Sequence, residues 1–344
     1  MRKEEDFKWG FYTRREFLKV SGFSAGTLAL GAMIVPPALF AKEGFPADKL
    51  TFIVPYTAGG GYDVYVRTIS PYLSKYLREA ASLAKGGDIT IKNLPAAGGR
   101  QGVAAIMNAK PDGNTLGIID MATVTDSIIG SGETDFTKFT VLQLAVSTNK
   151  VIAASKKGFN SWEETVNAMK KRPVKMAVGS FGLANHVAAI IMNEKMGTKF
   201  KLINFPGTAA NVNAIMRGDV DVLISPEESI KGLVDAKELK PLLIFDENSE
   251  HPGAVTIKQL GFPELVEQVS AHRFIIAPPA LNTEAKHIML GALKKATADA
   301  EFVAWAKKSN VRLKNVYGGD AEKLFLSYKK FYEDLAPMLK KHLA

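Results

Sequence analysis

The chain has 344 residues, of which 47% are hydrophobic and 23% are charged. This length and balance allow one large domain or two ordinary domains with cores of their own, and they exclude a disordered or fibrous protein. The sequence contains no cysteine, which rules out disulfides, thiolate metal sites and a cysteine nucleophile. The net charge of +9 favours anionic partners in general, nucleic acid included, without identifying one.

The N-terminal segment has the pattern of an export signal. Arg14 and Arg15 are followed by Phe17-Leu18-Lys19 and then by an uncharged run over residues 20–41. A basic flank before an apolar run is typical of export signals, and the paired arginines resemble the twin-arginine type. Glycines and Pro36-Pro37 interrupt the run, which makes it a poor membrane span. We therefore predict that residues 1–41 form a signal peptide that sends the chain to the periplasm, rather than a permanent anchor.

The rest of the chain begins with a strand pattern that then recurs. Leu50–Val54 is apolar and rich in β-branched residues, and it ends at Pro55 and a glycine cluster, which is typical of a buried strand followed by a turn. Similar runs predict further strands at Ile89–Asn93, Thr115–Ile119, Val141–Val146, Val151–Ser155, Val174–Val178, Phe200–Asn204, Val220–Ile224, Pro241–Phe245, Arg273–Ala277 and Arg312–Val316.

Helical patterns lie between many of these strands. Tyr62–Arg78 has apolar residues spaced by three or four, and Pro71 inside it predicts a kink or a split. The alternation of strands and helices predicts an α/β protein with mostly parallel sheets, and the strands are too many for one ordinary sheet. We therefore expect two α/β domains. The other helical patterns are Gln101–Asn108, Ser161–Lys170, Ala184–Met196, Ala209–Arg217 and Glu284–Asp299.

The first glycine loop, residues 55–63, follows a strand and opens a helix. Free N–H groups and the macrodipole at a helix N-terminus favour anions, and glycine lets a ligand approach the backbone. Val64 stands where a dinucleotide fingerprint needs its third glycine, and no Gly-Lys-Ser/Thr follows as in a phosphate loop. A small carboxylate therefore fits as well as a phosphate, and a turn that merely reverses the chain is an equal alternative.

Two charged residues accompany the glycine loops. Asp63 lies in the first helical turn, four residues before Arg67, where the dipole and an ion pair both stabilise an acid. This structural role is at least as well supported as a contact with a ligand. A second loop, residues 95–102, also connects a strand to a helix, and its Arg100 is either a contact for an anion or a solvated side chain.

A third loop, residues 178–186, contains Ser180 and His186 and raises the question of a hydrolase. A nucleophile elbow needs glycine where Val178 stands, and a serine and a histidine this close in sequence lie on one local turn, unlike the members of a triad. We therefore interpret His186 as a residue that packs the helix or braces the loop. The other histidines lack metal-ligand spacing, so we predict neither a catalytic site nor a metal site.

Several motifs occur in order along the chain. They are Ile53-Val-Pro-Tyr-Thr-Ala-Gly-Gly-Gly-Tyr-Asp63, Asn93-Leu-Pro-Ala-Ala-Gly-Gly99, Pro111-Asp-Gly-Asn-Thr-Leu116, residues 179–186, residues 205–221 and Ala277-Pro278. With these motifs the chain resembles the tripartite tricarboxylate transporter substrate-binding proteins, also called the Bug family. It departs from the family's usual residues at Thr57, Ala96, Arg100-Gln101 and His272-Arg273.

The resemblance implies a two-lobed extracytoplasmic binding protein of the periplasmic-binding-protein type II class, in which each lobe is a mostly parallel sheet flanked by helices. The expected lobes are residues 48–147 plus 272–344, and residues 148–271. A small organic carboxylate, either a di- or tricarboxylate or an aromatic acid, is expected to bind between the lobes, mostly through backbone N–H groups, and to pass to membrane permease subunits. The candidate ligand-binding residues are Tyr56, Thr57, Ala58, Gly59, Gly60, Asp63, Ala97, Gly98, Ser180, Phe181, Gly182, His186, Phe205, Gly207 and Thr208.

Other classes of function are open at this point. A carboxylate receptor that signals rather than transports would use the same fold, and neighbouring permease genes would distinguish the two. An α/β enzyme needs a cofactor fingerprint or an acid–base cluster, and the sequence shows neither, so we expect no catalysis and no cofactor. Nucleic-acid binding has only the net charge in its favour, and the export signal argues against it. We expect a monomer.

Overall fold

The computed structural model describes residues 45–82, 85–130, 134–179 and 184–343. The predicted signal peptide at residues 1–41 and the candidate site residues Ser180, Phe181 and Gly182 lie outside these ranges. Within them, no helix combines the length and the apolar character that crossing a membrane requires.

The strands form two six-stranded sheets, which we call sheet A and sheet B. In chain order the strands are β1 (Lys49–Val54), β2 (Asp88–Asn93), β3 (Thr115–Asp120), β4 (Thr140–Thr148), β5 (Lys150–Ser155), β6 (Val174–Gly179), β7 (Phe200–Asn204), β8 (Val222–Pro226), β9 (Leu239–Ile244), β10 (Val255–Thr256), β11 (Ala271–Ala277) and β12 (Leu313–Tyr317). The order of strands in sheet A is β12-β4-β11-β3-β1-β2, and the order in sheet B is β10-β9-β5-β8-β6-β7.

Helices flank both sheets and connect many of the strands. In chain order they are α1 (Gly61–Ala80), α2 (Arg100–Met107), α3 (Met121–Ile129), α4 (Trp162–Met169), α5 (Ala184–Lys195), α6 (Thr208–Arg217), α7 (Glu227–Asp235), α8 (Leu265–Gln268), α9 (Thr283–Ala298), α10 (Ala300–Lys308) and α11 (Gly318–Leu343). Short 3₁₀ turns cover Ala96–Gly99 and Phe136–Lys138.

Both sheets are mixed, and their parallel parts carry the strand-to-helix loops. In sheet A, β1 pairs in parallel with β2 and β3, whereas β11 is antiparallel to β3 and β4. In sheet B, β6 pairs in parallel with β7 and β8, whereas β5 is antiparallel to β8 and β9. The α/β class with two helix-flanked sheets is therefore confirmed, and antiparallel strands complete each sheet.

The predicted strands all occur, within a few residues of the expected ends. The sequence patterns missed the two-residue β10 and the helices α3, α7, α8, α10 and α11. Pro71 does not split α1, which continues through it as one helix. The exposed side of α1 carries Pro71, while the opposite side packs into the core, and this packing holds the helix together across the proline.

The apolar side of α1 shows how the sequence builds the core. Val66, Ile69, Leu73 and Leu77 recur every three or four residues and are fully buried against sheet A and α9. Burial of each such side chain stabilises the fold by about 1.5–3 kcal/mol relative to leaving it exposed. The chain passes from sheet A to sheet B through the single residue Asn149 between β4 and β5, and it returns to sheet A at β11.

Candidate functional site

A cleft of about 580 Å³ lies where the carboxyl ends of the parallel strands in both sheets meet. Loops that follow β1, β2 and β3 form one wall, and loops that follow β6, β7 and β8 form the other, so we call them the A wall and the B wall. The cleft is lined by Pro55, Tyr56, Thr57, Tyr62, Pro95, Gly98, Asp120, Ala122, Thr123 and Asp126 on the A wall, by Val178, Gly179, Ala184, Asn185, Pro206, Gly207, Thr208 and Pro226 on the B wall, and by Lys150 and Ala271 beside the chain crossings.

The A wall is a network of polar side chains centred on Asp120. The Tyr56 hydroxyl donates to Asp120 Oδ1 at 3.0 Å, and the Tyr62 hydroxyl donates to Asp120 Oδ2 at 2.5 Å. Asp120 also caps α3, because its Oδ1 accepts from the backbone N–H of Thr123 at 2.9 Å and from Thr123 Oγ1 at 3.0 Å. Both carboxylate oxygens of this buried aspartate are therefore already engaged with side chains or backbone of the A wall.

The two tyrosines are also held against each other. Their rings stack with centroids 4.0 Å apart, and the guanidinium of Arg273 lies over the Tyr62 ring at 4.9 Å. Burial, followed by the negative charge of Asp120, raises the pKa of Tyr56 and of Tyr62 well above the ordinary value. Both hydroxyls therefore stay protonated and act as donors to Asp120.

Backbone geometry shapes the B wall. Gly207 has a φ of +88°, a conformation that glycine adopts without strain, and it precedes α6 directly. Asn211 Oδ1 accepts from the backbone N–H of Gly179 at 3.2 Å and so fixes the end of β6 next to α6. The N-termini of α5 and α6 meet at this wall, where Asn185 and Thr208 line the cleft. Free N–H groups at such termini favour an anion.

Lys150 borders the cleft between the two walls. It is the first residue of β5, its side chain is 0% exposed, and its Nζ has no hydrogen-bond partner among the described residues. Burial lowers the pKa of Lys150 to about 8, although the negative charge of Asp120 acts in the opposite direction. A buried cation without a partner is unusual, because loss of hydration is costly unless another group compensates it.

A second buried cation near the crossings is paired. Arg273, on β11 of sheet A, forms an ion pair with Glu228, on α7 beside sheet B, and Thr148 Oγ1 donates to the other Glu228 oxygen at 2.9 Å. The two charged side chains are 5% and 11% exposed. Burial acts to lower the pKa of Arg273, but the charge of Glu228 outweighs it and the pKa is raised. This pair links the two sheets beneath the A wall.

Asp63 is hydrogen-bonded to the first glycine loop and stabilises it. Its Oδ2 accepts from the backbone N–H of Gly59 and from Arg67 Nε, each at 2.8 Å, and its Oδ1 accepts from Asn93 Nδ2 at 2.9 Å. Burial acts to raise the pKa of Asp63, but these hydrogen bonds outweigh it and hold the pKa below the ordinary value. The residue thus connects the loops after β1 and β2, in keeping with the structural role predicted for it.

The predicted site residues divide into three groups. Tyr56, Thr57, Gly98, Gly207 and Thr208 line the cleft. Ser180, Phe181 and Gly182 lie outside the described residues. The remaining seven are not among the residues that line the cleft, and their contact with a ligand stays a prediction, as it does for the first two groups: Ala58, Gly59, Gly60, Asp63, Ala97, His186 and Phe205.

Two residues of the third group, His186 and Phe205, pack into the structure next to the cleft. His186 is a buried residue of α5, and burial lowers its pKa. Phe205 packs on the core of sheet B, and its backbone N–H donates to the Gly179 carbonyl at 3.1 Å. Arg100, the charged residue of the second loop, forms an ion pair with Asp126 at 3.0 Å on the rim of the cleft.

Sequence reasoning missed the residues that carry the strongest electrostatics of the cleft. Tyr62, Asp120, Thr123, Lys150 and Asn185 were not among the predicted site residues, although all of them line it. A signal was present for two of them. Asp120 ends an apolar strand and is followed three residues later by Thr123, which is a helix-capping pattern. Lys150 is a lone charge between two apolar strand patterns, where a solvated lysine is not expected.

The described residues contain no cluster of three or more histidine, cysteine, aspartate or glutamate side chains suited to hold a metal ion. The arrangement that they do contain is a cleft with two helix N-termini at the B wall, an unpaired ammonium and a hydrogen-bonded aspartate. Such a cleft can bind an anion by charge and by backbone donors.

The family model for the tripartite tricarboxylate transporter family receptor matches residues 74–330. The chain belongs to this family. Among relatives, a protein encoded in the gbd 5′ region of Cupriavidus necator is 25% identical over 291 residues, which is 82% of this chain and 84% of the relative. BugT of Bordetella pertussis is 24% identical over 260 residues, which is 72% of this chain and 75% of BugT.

Solved structures of other proteins share the fold. A TctC solute-binding protein from Polaromonas superposes with a TM-score of 0.70 at 21% identity, covering 85% of this chain and 99% of that one. MatC of Rhodopseudomonas palustris, with bound malate, superposes with a TM-score of 0.69 at 19% identity, covering 85% of this chain and 100% of MatC. An R. palustris protein with adipate superposes with a TM-score of 0.69 at 18% identity, covering 86% of this chain and 98% of that one. The two-lobed fold of this receptor family is thereby confirmed for the chain.

Proposed function

We propose that this receptor captures a small organic carboxylate in the cleft between its two lobes and delivers it to membrane permease subunits of a tripartite tricarboxylate transporter. The observation that carries the proposal is the cleft itself, which combines helix N-termini with an unpaired buried ammonium. Malate and adipate in receptors of the same fold support an acid of this kind as the ligand. The proposed lobes are residues 48–147 plus 272–344, and residues 148–271.

The proposal requires binding without turnover. A carboxylate loses hydration when it enters the cleft, and several hydrogen bonds must replace that hydration. The backbone N–H groups at the B wall supply such donors, and closure of the two lobes about the crossings would exclude water.

Thermal unfolding with and without ligand tests the proposal. Mono-, di- and tricarboxylates and aromatic acids are compared with their amides. An acid present at a hundred times its Kd should stabilise the folded state by about 2.7 kcal/mol, which raises the melting temperature of a chain of this length by a few degrees. The amides should produce no shift. Equal stabilisation by acids and amides would contradict the proposal.

Two tryptophan variants locate the binding site. Thr57 is exposed and lines the cleft, so Thr57→Trp should fill part of it and abolish the shift that the acid produces. Lys157 is exposed in the turn that follows β5 and does not line the cleft, so Lys157→Trp should retain the shift. Loss of the shift in both variants, or in neither, would place the ligand elsewhere.

Location and delivery are tested in cells. We infer that residues 1–41 export the chain to the periplasm by the twin-arginine route, so replacing Arg14 and Arg15 by lysine should remove the mature protein from a periplasmic fraction on an immunoblot. Deleting the receptor should abolish uptake of the radiolabelled acid by cells that retain the permease. Unchanged uptake in the deletion strain would instead favour a sensory receptor.

A further inference from the structure

Lys150 is a buried cation that the fold itself does not neutralise. Its side chain is fully buried and lines the cleft, and its Nζ has no hydrogen-bond partner in the described part of the chain. The contrast is with Arg273, also buried, which is paired with Glu228. An unpaired ammonium destabilises the protein because its lost hydration is not replaced, whereas an uncharged side chain of similar length would avoid that cost.

The charged groups around Lys150 are engaged with other partners. Asp120 attracts the ammonium, but its two carboxylate oxygens accept hydrogen bonds from Tyr56, Tyr62 and Thr123, and Lys150 Nζ forms no hydrogen bond with it. Burial lowers the pKa of His272 to about 4 and the positive charge of Lys150 acts in the same direction, so this imidazole stays neutral at pH 7. The ammonium therefore keeps its donors for a group that enters the cleft.

We propose that Lys150 is the charge anchor of the cleft and that its Nζ donates directly to one carboxylate of the bound acid. The inference rests on the proposed function and adds to it the residue that neutralises the ligand. Asp120 repels a second carboxylate placed near the same end. In a dicarboxylate, the second carboxylate therefore extends toward Gly207 and Thr208 at the start of α6, where backbone N–H groups favour it.

This assignment changes how the cleft discriminates among ligands. Backbone donors bind an amide oxygen as well as a carboxylate, although more weakly, whereas an ammonium in a desolvated position adds a strong preference for the charged group. The difference in affinity between an acid and its amide should therefore shrink when the charge of Lys150 is removed. If the lysine served only to pack the core, its removal would lower stability and leave this discrimination intact.

The experiment measures Kd by titration calorimetry at pH 7 for malate, adipate and their monoamides and diamides. Four variants are compared with the wild type: Lys150→Met and Lys150→Gln remove the charge, Lys150→Arg retains it, and Lys157→Met is the control. Lys157 is exposed in the turn that follows β5, so its replacement should change neither binding nor stability.

Removal of the charge should weaken acid binding by about 10- to 100-fold, the range expected for loss of a hydrogen bond between charged groups. Lys150→Met should at the same time raise the melting temperature of the ligand-free protein, because the unpaired charge is gone. Lys150→Arg should bind more tightly than Lys150→Gln. A stability gain together with a loss of binding separates a ligand anchor from a packing residue.

The pH dependence of the wild type gives a second test that does not require any variant to fold. The ligand-free pKa of Lys150 is about 8, and a bound carboxylate raises it. Binding at pH 8 should therefore take up about half a proton per ligand, which buffers of different ionisation enthalpy reveal. The affinity should fall as the pH rises above 8. His272, with a pKa of about 4, stays neutral through this range.

The outcomes distinguish the two levels of the proposal. If the wild type binds an acid and Lys150→Met and Lys150→Gln bind it equally well, the anchor is overturned while the receptor function stands. Absence of proton uptake by the wild type at pH 8 overturns the anchor as well. If no acid binds the wild type, both the function and the anchor fail.

Discussion

The two walls of the cleft satisfy their polar groups in different ways. On the A wall, Asp120 accepts hydrogen bonds from Tyr56, Tyr62 and Thr123, so the polar groups stabilise one another. The B wall offers an anion the backbone N–H groups at helix N-termini. Beside these groups, Lys150 Nζ has no hydrogen-bond partner among the described residues. The polar groups of the A wall are thus already hydrogen-bonded to one another, whereas the B wall and Lys150 retain donors that a ligand can use.

Because of this difference, a substitution in the A wall and a substitution of Lys150 should have different effects on stability and on binding. Removing a member of a satisfied network leaves its partners buried and unpaired, which destabilises the fold. Removing an unpartnered charge relieves a cost and affects binding instead. Stability and affinity should therefore separate across the cleft, and four predictions test the stability side of this contrast.

The largest loss of stability should follow from Arg273→Met, since this change leaves Glu228 without its cationic partner. Breaking a buried ion pair by removing one member costs about 3–5 kcal/mol. The measurement is the free energy of unfolding from urea denaturation. Arg217→Met, which breaks the exposed pair with Asp219, is the matched control and should leave that free energy nearly unchanged. A loss below about 1 kcal/mol for Arg273→Met would contradict the role of this pair.

Asp120→Ala tests the satisfied network of the A wall directly. The change removes the acceptor of two tyrosine hydroxyls and the cap of α3, so we expect the free energy of unfolding to fall by about 2–4 kcal/mol. Asp126→Ala removes a carboxylate from the rim of the same cleft, where it pairs with exposed Arg100, and should have little effect on stability. Similar losses in both variants would remove the contrast between network and rim.

The pH dependence of stability tests His272 beneath the A wall. Burial lowers the pKa of His272 to about 4 in the folded protein, whereas the unfolded chain protonates it near the ordinary value of about 6.5. Its contribution is therefore present above pH 6.5 and is lost as the pH falls toward 4, by about 1.5 kcal/mol between pH 6.5 and pH 5.

The comparison variant for this pH dependence is His272→Phe, which retains a ring against Tyr328, whose ring stacks on His272 at 4.1 Å. Denaturation curves at several pH values should show a shallower decline for this variant than for the wild type. Parallel pH profiles would show that His272 is protonated equally in the folded and unfolded states.

The smallest effects should come from the residues that brace the glycine loops. Asp63 accepts three hydrogen bonds beside the A wall, and Asn211 accepts one from Gly179 at the B wall while its Nδ2 has no partner among the described residues. Asp63→Ala should cost about 1 kcal/mol and Asn211→Ala about 0.5 kcal/mol, because Asp63 accepts more hydrogen bonds. The reverse order in urea denaturation would show that the B wall depends on its brace more than the A wall does.

Much of the fold could be predicted from local sequence. Apolar β-branched runs predicted the strands, and period-3.6 patterns predicted α1, α2, α4, α5, α6 and α9, because those elements bury one continuous face. Helices α3 and α7 were not predicted because they begin directly at the ends of β3 and β8 with no intervening loop, and α8 is only four residues long. Helices α10 and α11 have amphipathic sequences whose role depends on the surfaces they cover.

The sequence by itself determined the strand-to-helix loops, their glycines and the family resemblance, since each depends on residues close together along the chain. The tertiary structure decided which side chains face the cleft. Tyr56, Asp120 and Lys150 are far apart in sequence and lie around one cleft because β1, β3 and β5 end or begin at the same edge of their sheets. A pattern along the chain cannot show that a lysine at the start of a strand is buried without a partner, because that depends on where every potential partner is placed.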